Sequence, residues 1–469
     1  MTQSTHAKAA ESPRDAAESP STDAVEERPL TVGQFTDNYG PNANGLLYAV
    51  QFLEQELLTA GHRVVLVAPE SKGPNPLAGH PHRREIRLPS VPLPGTAVRV
   101  WNGRDFGYRL AQLVADPPDV IHVHGMGPTG LLGMWVAQRT NRPLVVTWHT
   151  DFEAYAEHYW HLAPFLNTIY KLYQARAEQK AVDKLRTFRP TRLRRGGAQI
   201  ELLQRCADML TEADLVTAPS DKTAKRILEI APSAKVRVVP NGVDPLPAAA
   251  PLPRARHPRL LFVGRVSQEK GIELLLDAFE LVRDQVPNAE LMIVGDWTEA
   301  AVLLRRRLTK AARRGGVTLV GQVERERLNA YYGSADVFVF PSVTDTQALV
   351  LHEAAHAGLP IVMVDPELNL VVEPGVNATI GRANPVSLAQ AIVTMLRRLD
   401  DPTFRATAHA RSRELAAHWS SDRQSDEIIA LYEELAAGRA VPTSDHIVPD
   451  RGRRPFGGRR ISANLHLEG

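Results

Sequence analysis

A chain of 469 residues is too long for one ordinary core, so two or three domains are expected. With 43% hydrophobic and 23% charged residues and a formal net charge of +2, it reads as a globular protein, and the charge argues against nucleic acid as a partner. The single cysteine, Cys206, excludes an internal disulfide framework; with no bilayer-length apolar run and no signal-peptide core at the start, a cytoplasmic protein is expected.

Residues 1–28 are rich in Ala, Ser, Glu and Pro and read as a disordered tail. Beyond them, "LTVGQFT", "HRVVLVAP", "REIRLPS", "VIHVHG" and "PLVVTWHT" are strand-like. "LLYAVQFLEQELLTAGH" between the first two has helical spacing and a Gly at its end. Strand, helix and strand repeated in this way predict a parallel sheet covered on both faces.

The first strand is followed by "DNYGPNANGLL", from Asp37 to Leu47. No GxGxxG stands there, which disfavours a dinucleotide oxidoreductase. Gly45 opens a helix whose free amides suit an anion, although an ordinary strand-to-helix turn reads the same. "HVHG" supplies His122 and His124, and "TWHTD" supplies His149 and Asp151, all at strand ends. No matching Cys or acid spacing supports a metal site. His149 is expected to donate a hydrogen bond to a substrate hydroxyl, and His122 to be a satisfied structural histidine.

From about Trp160 to Gly197 the pattern changes. "WHLAPFLNTIYKLY" precedes "KLRTFRPTRLRRGG", which carries Lys184, Arg186, Arg189, Arg192, Arg194 and Arg195. Peripheral contact of 184–195 with an anionic membrane is one reading. A solvated basic face on an acceptor-domain insertion is the other.

"VRVVPNGVD" closes the first series at Asp244, and a Pro/Ala-rich linker follows. A second series runs through "RLLFVGR", "ELMIVGD", "VTLVG", "VFVFPS" and "PIVMVD". The expected boundaries are a first domain over 29–244, a linker over 245–257, a second domain over 258–437 and a loose basic tail over 438–469. The last helix is a candidate to cross back to the first domain. Ligands of open α/β sheets bind at the carboxyl ends of the strands, so the cleft between two such units is the expected site.

Two stretches of the second unit carry chemistry. In "FVGRVSQEKG", Arg265 leaves a strand end and Lys270 precedes a helix, a pairing suited to a diphosphate: a planar fork and a compact point charge. Two solvated loop cations are the plain alternative. In "PSVTDTQALVLHEAAHAGLPIV", Asp345 falls in the loop after a buried strand and Glu353 on the next helix. The amides of 345–350 can wrap a polar ligand, and Glu353 can accept from vicinal hydroxyls.

Taken together, "FTDNYGPNANG", "VIHVHG", "TWHTD", "TAPS", "VRVVPNGVD", "LLFVGRVSQEKG", "VFVFPS" and the acid pair resemble the retaining glycosyltransferases of family four, over about Leu30 to Ala437. "TDTQALVLHEA" and "VHG…LLG…TWHTDFEAY" are similar to the branch that glucosylates diacylglycerol or mannosylates lipid anchors. The resemblance implies a GT-B fold: α/β, with two Rossmann-like doubly wound parallel-sheet domains facing a central cleft. Arg265 and Lys270 become the diphosphate ligands, with Gly264 beside them, and Glu353 the ribose ligand. Asp345, where the family usually has Glu, contacts the transferred sugar, and His149 supports that sugar from the other domain. Gly45 brings its backbone near the phosphate. Ala348, in place of the usual Gly, joins Leu349 and Val350 in the donor loop, while Asp37, Tyr39, His124 and Asp151 stand on the acceptor side.

The implied reaction moves a hexose from a nucleoside-diphosphate sugar, UDP-glucose first and GDP-mannose next, to a hydroxyl of a lipid or secondary metabolite. No cofactor and no metal are expected. The alternatives are a catalytically silent sugar-nucleotide binder and a GT-B sugar-nucleotide epimerase.

Overall fold

The computed structural model describes residues 28–39, 45–70, 77–92, 99–125, 127–149, 206–250, 252–253, 256–298 and 300–444. Asp151 and the basic segment 184–195 lie outside the described residues.

The first lobe runs β1 (Thr31–Phe35), α1 (Gly45–Thr59), β2 (Arg63–Pro69), β3 (Arg83–Leu88), β4 (Ser90–Pro92), β5 (Arg99–Trp101), α2 (Phe106–Ala115), β6 (Val120–Val123), α3 (Pro128–Thr140) and β7 (Leu144–Thr147). After the undescribed stretch come β8 (Leu215–Ala218), α4 (Asp221–Ile230) and β9 (Val236–Val238). Seven strands form a sheet in the order β3-β2-β1-β6-β7-β8-β9, while β4 and β5 make a separate antiparallel pair. The large sheet is parallel throughout, with Val32 of β1 opposite Val64 on one side and Val120 on the other. Parallel strands covered on both faces must be apolar along their whole length, which is why β2 and β6 are near-continuous runs of Val, Ile, Leu and Ala.

The second lobe contains β10 (Arg259–Val263), α5 (Ile272–Gln285), β11 (Glu290–Val294), α6 (Val302–Arg314), β12 (Val317–Gly321), α7 (Arg325–Tyr332), β13 (Val337–Phe340), α8 (Leu349–His356), β14 (Ile361–Met363), β15 (Ala378–Ile380) and α9 (Pro385–Arg398). Its six-stranded parallel sheet has the order β12-β11-β10-β13-β14-β15. The reversal at β10 and β13 is the switch point at which such sheets open a crevice.

Two helices close the described chain, α10 (Pro402–Ala417) and α11 (Ser421–Ala436). The last of these packs on the first lobe: Ile428, Leu431 and Tyr432 share a buried cluster with Val32, Leu53, Leu57 and Val120. Cys206 is buried, and burial pushes its thiol up to about 12. Among the described residues, no helix is long and apolar enough to cross a membrane.

Candidate active site

Strand β10 ends at Val263, and Gly264 turns the chain with a φ of 147°, a conformation that side chains rarely adopt. A single 3-10 turn, Gln268–Lys270, then leads to Gly271 at φ 71°. A Cβ on Gly271 would stand 2.5 Å from the Pro341 carbonyl oxygen, so only glycine lets this turn press against the end of β13. The result is a bonded cluster. Lys270 Nζ donates to Asp345 Oδ1, and Ser342 Oγ donates to Asp345 Oδ2 at 2.5 Å. The Thr344 hydroxyl donates to the Glu269 carbonyl at 3.2 Å. Burial alone would raise the Asp345 carboxyl, but Lys270, Ser342 and Lys222 outweigh it and hold the group below its usual range. Arg265 pairs with Glu269 at 2.8 Å, and its side chain stays 66% exposed at the same sheet edge.

Ala348 caps α8 with φ 62° and ψ 76°, a left-handed backbone at a non-glycine residue. Leu349 and Val350 follow as the first helical residues, whose amides have no intrahelical acceptor. Farther along α8, buried Glu353 accepts from Arg325 Nη1 at 2.6 Å and from the Tyr332 hydroxyl at 2.9 Å. Arg325 also lies 5.1 Å over the ring of Tyr48, on α1 of the other lobe. Glu353 is therefore held in place by two donors rather than solvated on a helix surface.

In the first lobe, three imidazoles share one polar network. His122 bonds the Tyr432 hydroxyl through Nδ1 and the Thr147 hydroxyl through Nε2, both at 2.5 Å. His124 bonds Gln34 Oε1 through Nε2 and His149 Nε2 through Nδ1, the latter at 3.1 Å. Burial lowers all three, His149 to about 4, so they are neutral near pH 7. Where His124 Nδ1 faces His149 Nε2, one ring donates and the other accepts, so the tautomer of His149 is tied to that of His124. The His149 carbonyl receives the Thr346 hydroxyl at 3.2 Å, which joins this strand end to the loop that carries Asp345.

The acceptor-side residues divide. Asp37 Oδ1 accepts the Thr129 amide at 2.9 Å at the start of α3, and burial raises its carboxyl. Its Oδ2 is buried without a hydrogen-bond partner among the described residues. His124 stands behind His149 rather than beside it. Tyr39 needs correction as an acceptor-side group. It is buried, its hydroxyl donates to Glu54 Oε2 at 2.6 Å, and Arg87 covers its ring at 5.0 Å. The buried Glu54–Arg83 pair beneath α1 draws that hydroxyl inward. Gly45 is the first residue of α1, where its amide has no intrahelical acceptor. Among the described residues, no three His, Cys, Asp or Glu side chains converge to hold a metal ion.

Two family models match the chain in succession: Glycosyltransferase Family 4 over residues 43–245, and Glycosyl transferases group 1 over residues 257–398. The chain belongs to glycosyltransferase family 4. Among its relatives is an alpha-monoglucosyldiacylglycerol synthase of Streptococcus pneumoniae, 25% identical over 73% of this chain and 73% of that one. The synthase of the same name from Acholeplasma laidlawii is 24% identical over 74% of this chain and 84% of its own. Sucrose-phosphate synthase from Thermosynechococcus elongatus superposes with a TM-score of 0.63 at 24% identity, covering 88% of this chain and all of its own. Anabaena HepE, solved with UDP and glucose, gives 0.60 at 15% identity, covering 86% of this chain and 99% of its own. These two share the GT-B fold.

The family 4 glycosyltransferase also uses residues that its sequence did not single out. Lys222, near the start of α4, donates to the Val343 carbonyl at 2.9 Å, the Asp345 carbonyl at 2.8 Å and Asp365 Oδ2 at 2.6 Å. Ser220 and Thr223 donate to the Thr346 carbonyl, and the Gln347 side chain pairs with Asn241. The first lobe of the glycosyltransferase thus clasps the whole loop that carries Asp345. The "TAPS" motif, immediately before Asp221 and Lys222, was the one sequence signal that pointed to this place.

Proposed function

We propose that the enzyme is a retaining, metal-independent hexosyltransferase that uses UDP-glucose and a lipid hydroxyl of the diacylglycerol type. The observation that carries this reading is the Lys270–Asp345–Ser342 cluster at the sheet switch point, held from the other lobe by Lys222. Breaking the bond between the anomeric carbon and the diphosphate places growing negative charge on the leaving oxygen. Lys270, Arg265 and the amides of Leu349 and Val350 can stabilise that charge, each well-placed donor being worth about 3 kcal/mol. The acceptor hydroxyl attacks the face that the diphosphate leaves and passes its proton to the departing phosphate oxygen, so configuration is retained. Asp345 accepts from one hydroxyl of the transferred sugar, and His149 hydrogen-bonds another. The diacylglycerol acceptor is supported by the two relatives of that activity, each aligned over about three quarters of this chain. A cytoplasmic enzyme working at the inner membrane face fits this substrate.

The test offers UDP-glucose, GDP-mannose and a dTDP-sugar to the full chain in diacylglycerol micelles containing EDTA, with product stereochemistry read by NMR. An α-glucosyl lipid from UDP-glucose is expected. Donor binding by calorimetry without turnover of any donor would favour the catalytically silent binder. Conversion of the donor without acceptor would favour the epimerase.

A further inference from the structure

Helix α6, Val302–Arg314, reads VLLRRRLTKAARR: six cations and no acid in thirteen residues. Leu304 and Leu308 are buried in the lobe's core, which turns the opposite side of the helix to solvent. Three cations are engaged below that side. Arg307 reaches Glu273 and Asp277, Arg314 pairs with Glu280, and Arg305 donates to the Thr298 carbonyl. Arg306, Lys310 and Arg313 are exposed and have no hydrogen-bond or ion-pair partner among the described residues. Spaced four and three apart, they form one outward stripe. Two aliphatic side chains stand at its start, Val302 at 57% and Leu303 at 69% exposed, and Trp297 of the preceding loop lines the same surface as Val302.

We propose that this face of α6 docks on an anionic lipid bilayer. Exposed aliphatic residues on a monomer lose contact with water by entering the headgroup region, and cations beside them meet lipid phosphate there. A polyanion in solution would explain the stripe but not Leu303. The placement also serves the acceptor. Helix α6 begins one loop beyond the carboxyl end of β11, the sheet edge that carries Gly264 and the Asp345 loop. A bilayer touching Val302 and Leu303 therefore lies at the mouth of the cleft, where a lipid hydroxyl has the least distance to travel. The surface deepens the lipid-acceptor reading and rests on it, and it is distinct from the 184–195 segment.

The full chain would be co-sedimented with vesicles of phosphatidylglycerol and phosphatidylcholine, and with phosphatidylcholine alone. Each cation at an anionic surface is worth roughly fivefold in partitioning. R306E/K310E/R313E should therefore lose at least about a hundredfold in affinity for the anionic vesicles, and L303D should lose severalfold. UDP-glucose affinity by calorimetry should change by less than about twofold in both. Wild-type partitioning by the triple variant would overturn the proposal and place binding elsewhere. So would a wild-type chain that binds both vesicles equally, or one that binds heparin but neither vesicle. Vesicle binding that depends on α6 in a protein that glucosylates no lipid would leave the surface standing and remove the acceptor reading instead.

Discussion

Ala348 is the residue at which the loop between β13 and α8 stores strain. Its φ of 62° and ψ of 76° cost an L-residue about 1 kcal/mol that glycine would not incur. Ala348→Gly should therefore change stability by less than about 1 kcal/mol, because relief of strain offsets the extra freedom of the unfolded chain. Ala348→Val, β-branched in the same conformation, should lose about 2 kcal/mol. Equilibrium denaturation measures both, and equal losses in the two variants would mean that the left-handed backbone is not the constraint. Glu353 shows how burial changes a mutational test. Truncation to Ala strands Arg325 and the buried Tyr332 hydroxyl, at a cost of about 3 kcal/mol, so lost activity in Glu353→Ala would confound fold with function. Glu353→Gln keeps the shape and one acceptor oxygen. It should keep a cooperative melt and lose at least tenfold in donor affinity, and unaltered affinity would remove the ribose role. Lys270→Ala should lower kcat by about a hundredfold or more while the fold holds, since Asp345 keeps its Ser342 bond.

At the scale of elements, the start of α4 is the clasp between lobes. Lys222 uses all three ammonium hydrogens on two carbonyls and a carboxylate of the other lobe, and charge-assisted bonds of this kind are worth about 1.5–3 kcal/mol each. Lys222→Met should shift the molecule toward separated lobes, seen as a larger radius of gyration in solution scattering, and reduce kcat/KM at least tenfold. An unchanged scattering curve would reduce Lys222 to a local role. The clasp also explains what the sequence disclosed and what it withheld. Arg265, Lys270 and Asp345 were legible because each follows closely on an apolar strand, and a parallel sheet delivers its strand ends to one edge; Glu353 was legible as an acid among buried-type residues on the next helix. Strands β2, β6, β10 and β13 were legible for the same reason, as unbroken buried runs. Lys222 was not, because its partners lie more than a hundred residues away on the other lobe. Tyr39 misled because its neighbours in sequence are cleft residues, whereas its hydroxyl partner is set by a buried ion pair on α1 and β3. Tyr432 stands 310 residues from His122, and no local pattern announces that bond.

The molecule as a whole is closed by α11, which leaves the second lobe and sets Tyr432 against the first lobe's histidine network. That network makes global stability depend on pH. Its His122, His124 and His149, and separately His352 on α8 of the second lobe, are buried and lowered from an ordinary value near 6.5, His149 to about 4 and His352 to about 3. In this window the unfolded chain binds more protons than the folded one, so stability is full above pH 6.5 and falls as the pH drops toward 4. For His149 alone the loss across the window is on the order of 3 kcal/mol. Asp37, Glu54, Glu56 and Glu212, raised by burial, act with the opposite sign, since their folded forms take up protons first, while Glu85, Asp296 and Asp345, lowered by their hydrogen-bond and charge partners, act with the histidines. Four histidines and three lowered acids against four raised ones should give a net loss. Urea midpoints at pH 7, 6 and 5 should decline in sequence, and His149→Asn should decline less steeply by close to one proton. A flat profile, or a variant with the wild-type slope, would show that these imidazoles already take up protons in the folded enzyme.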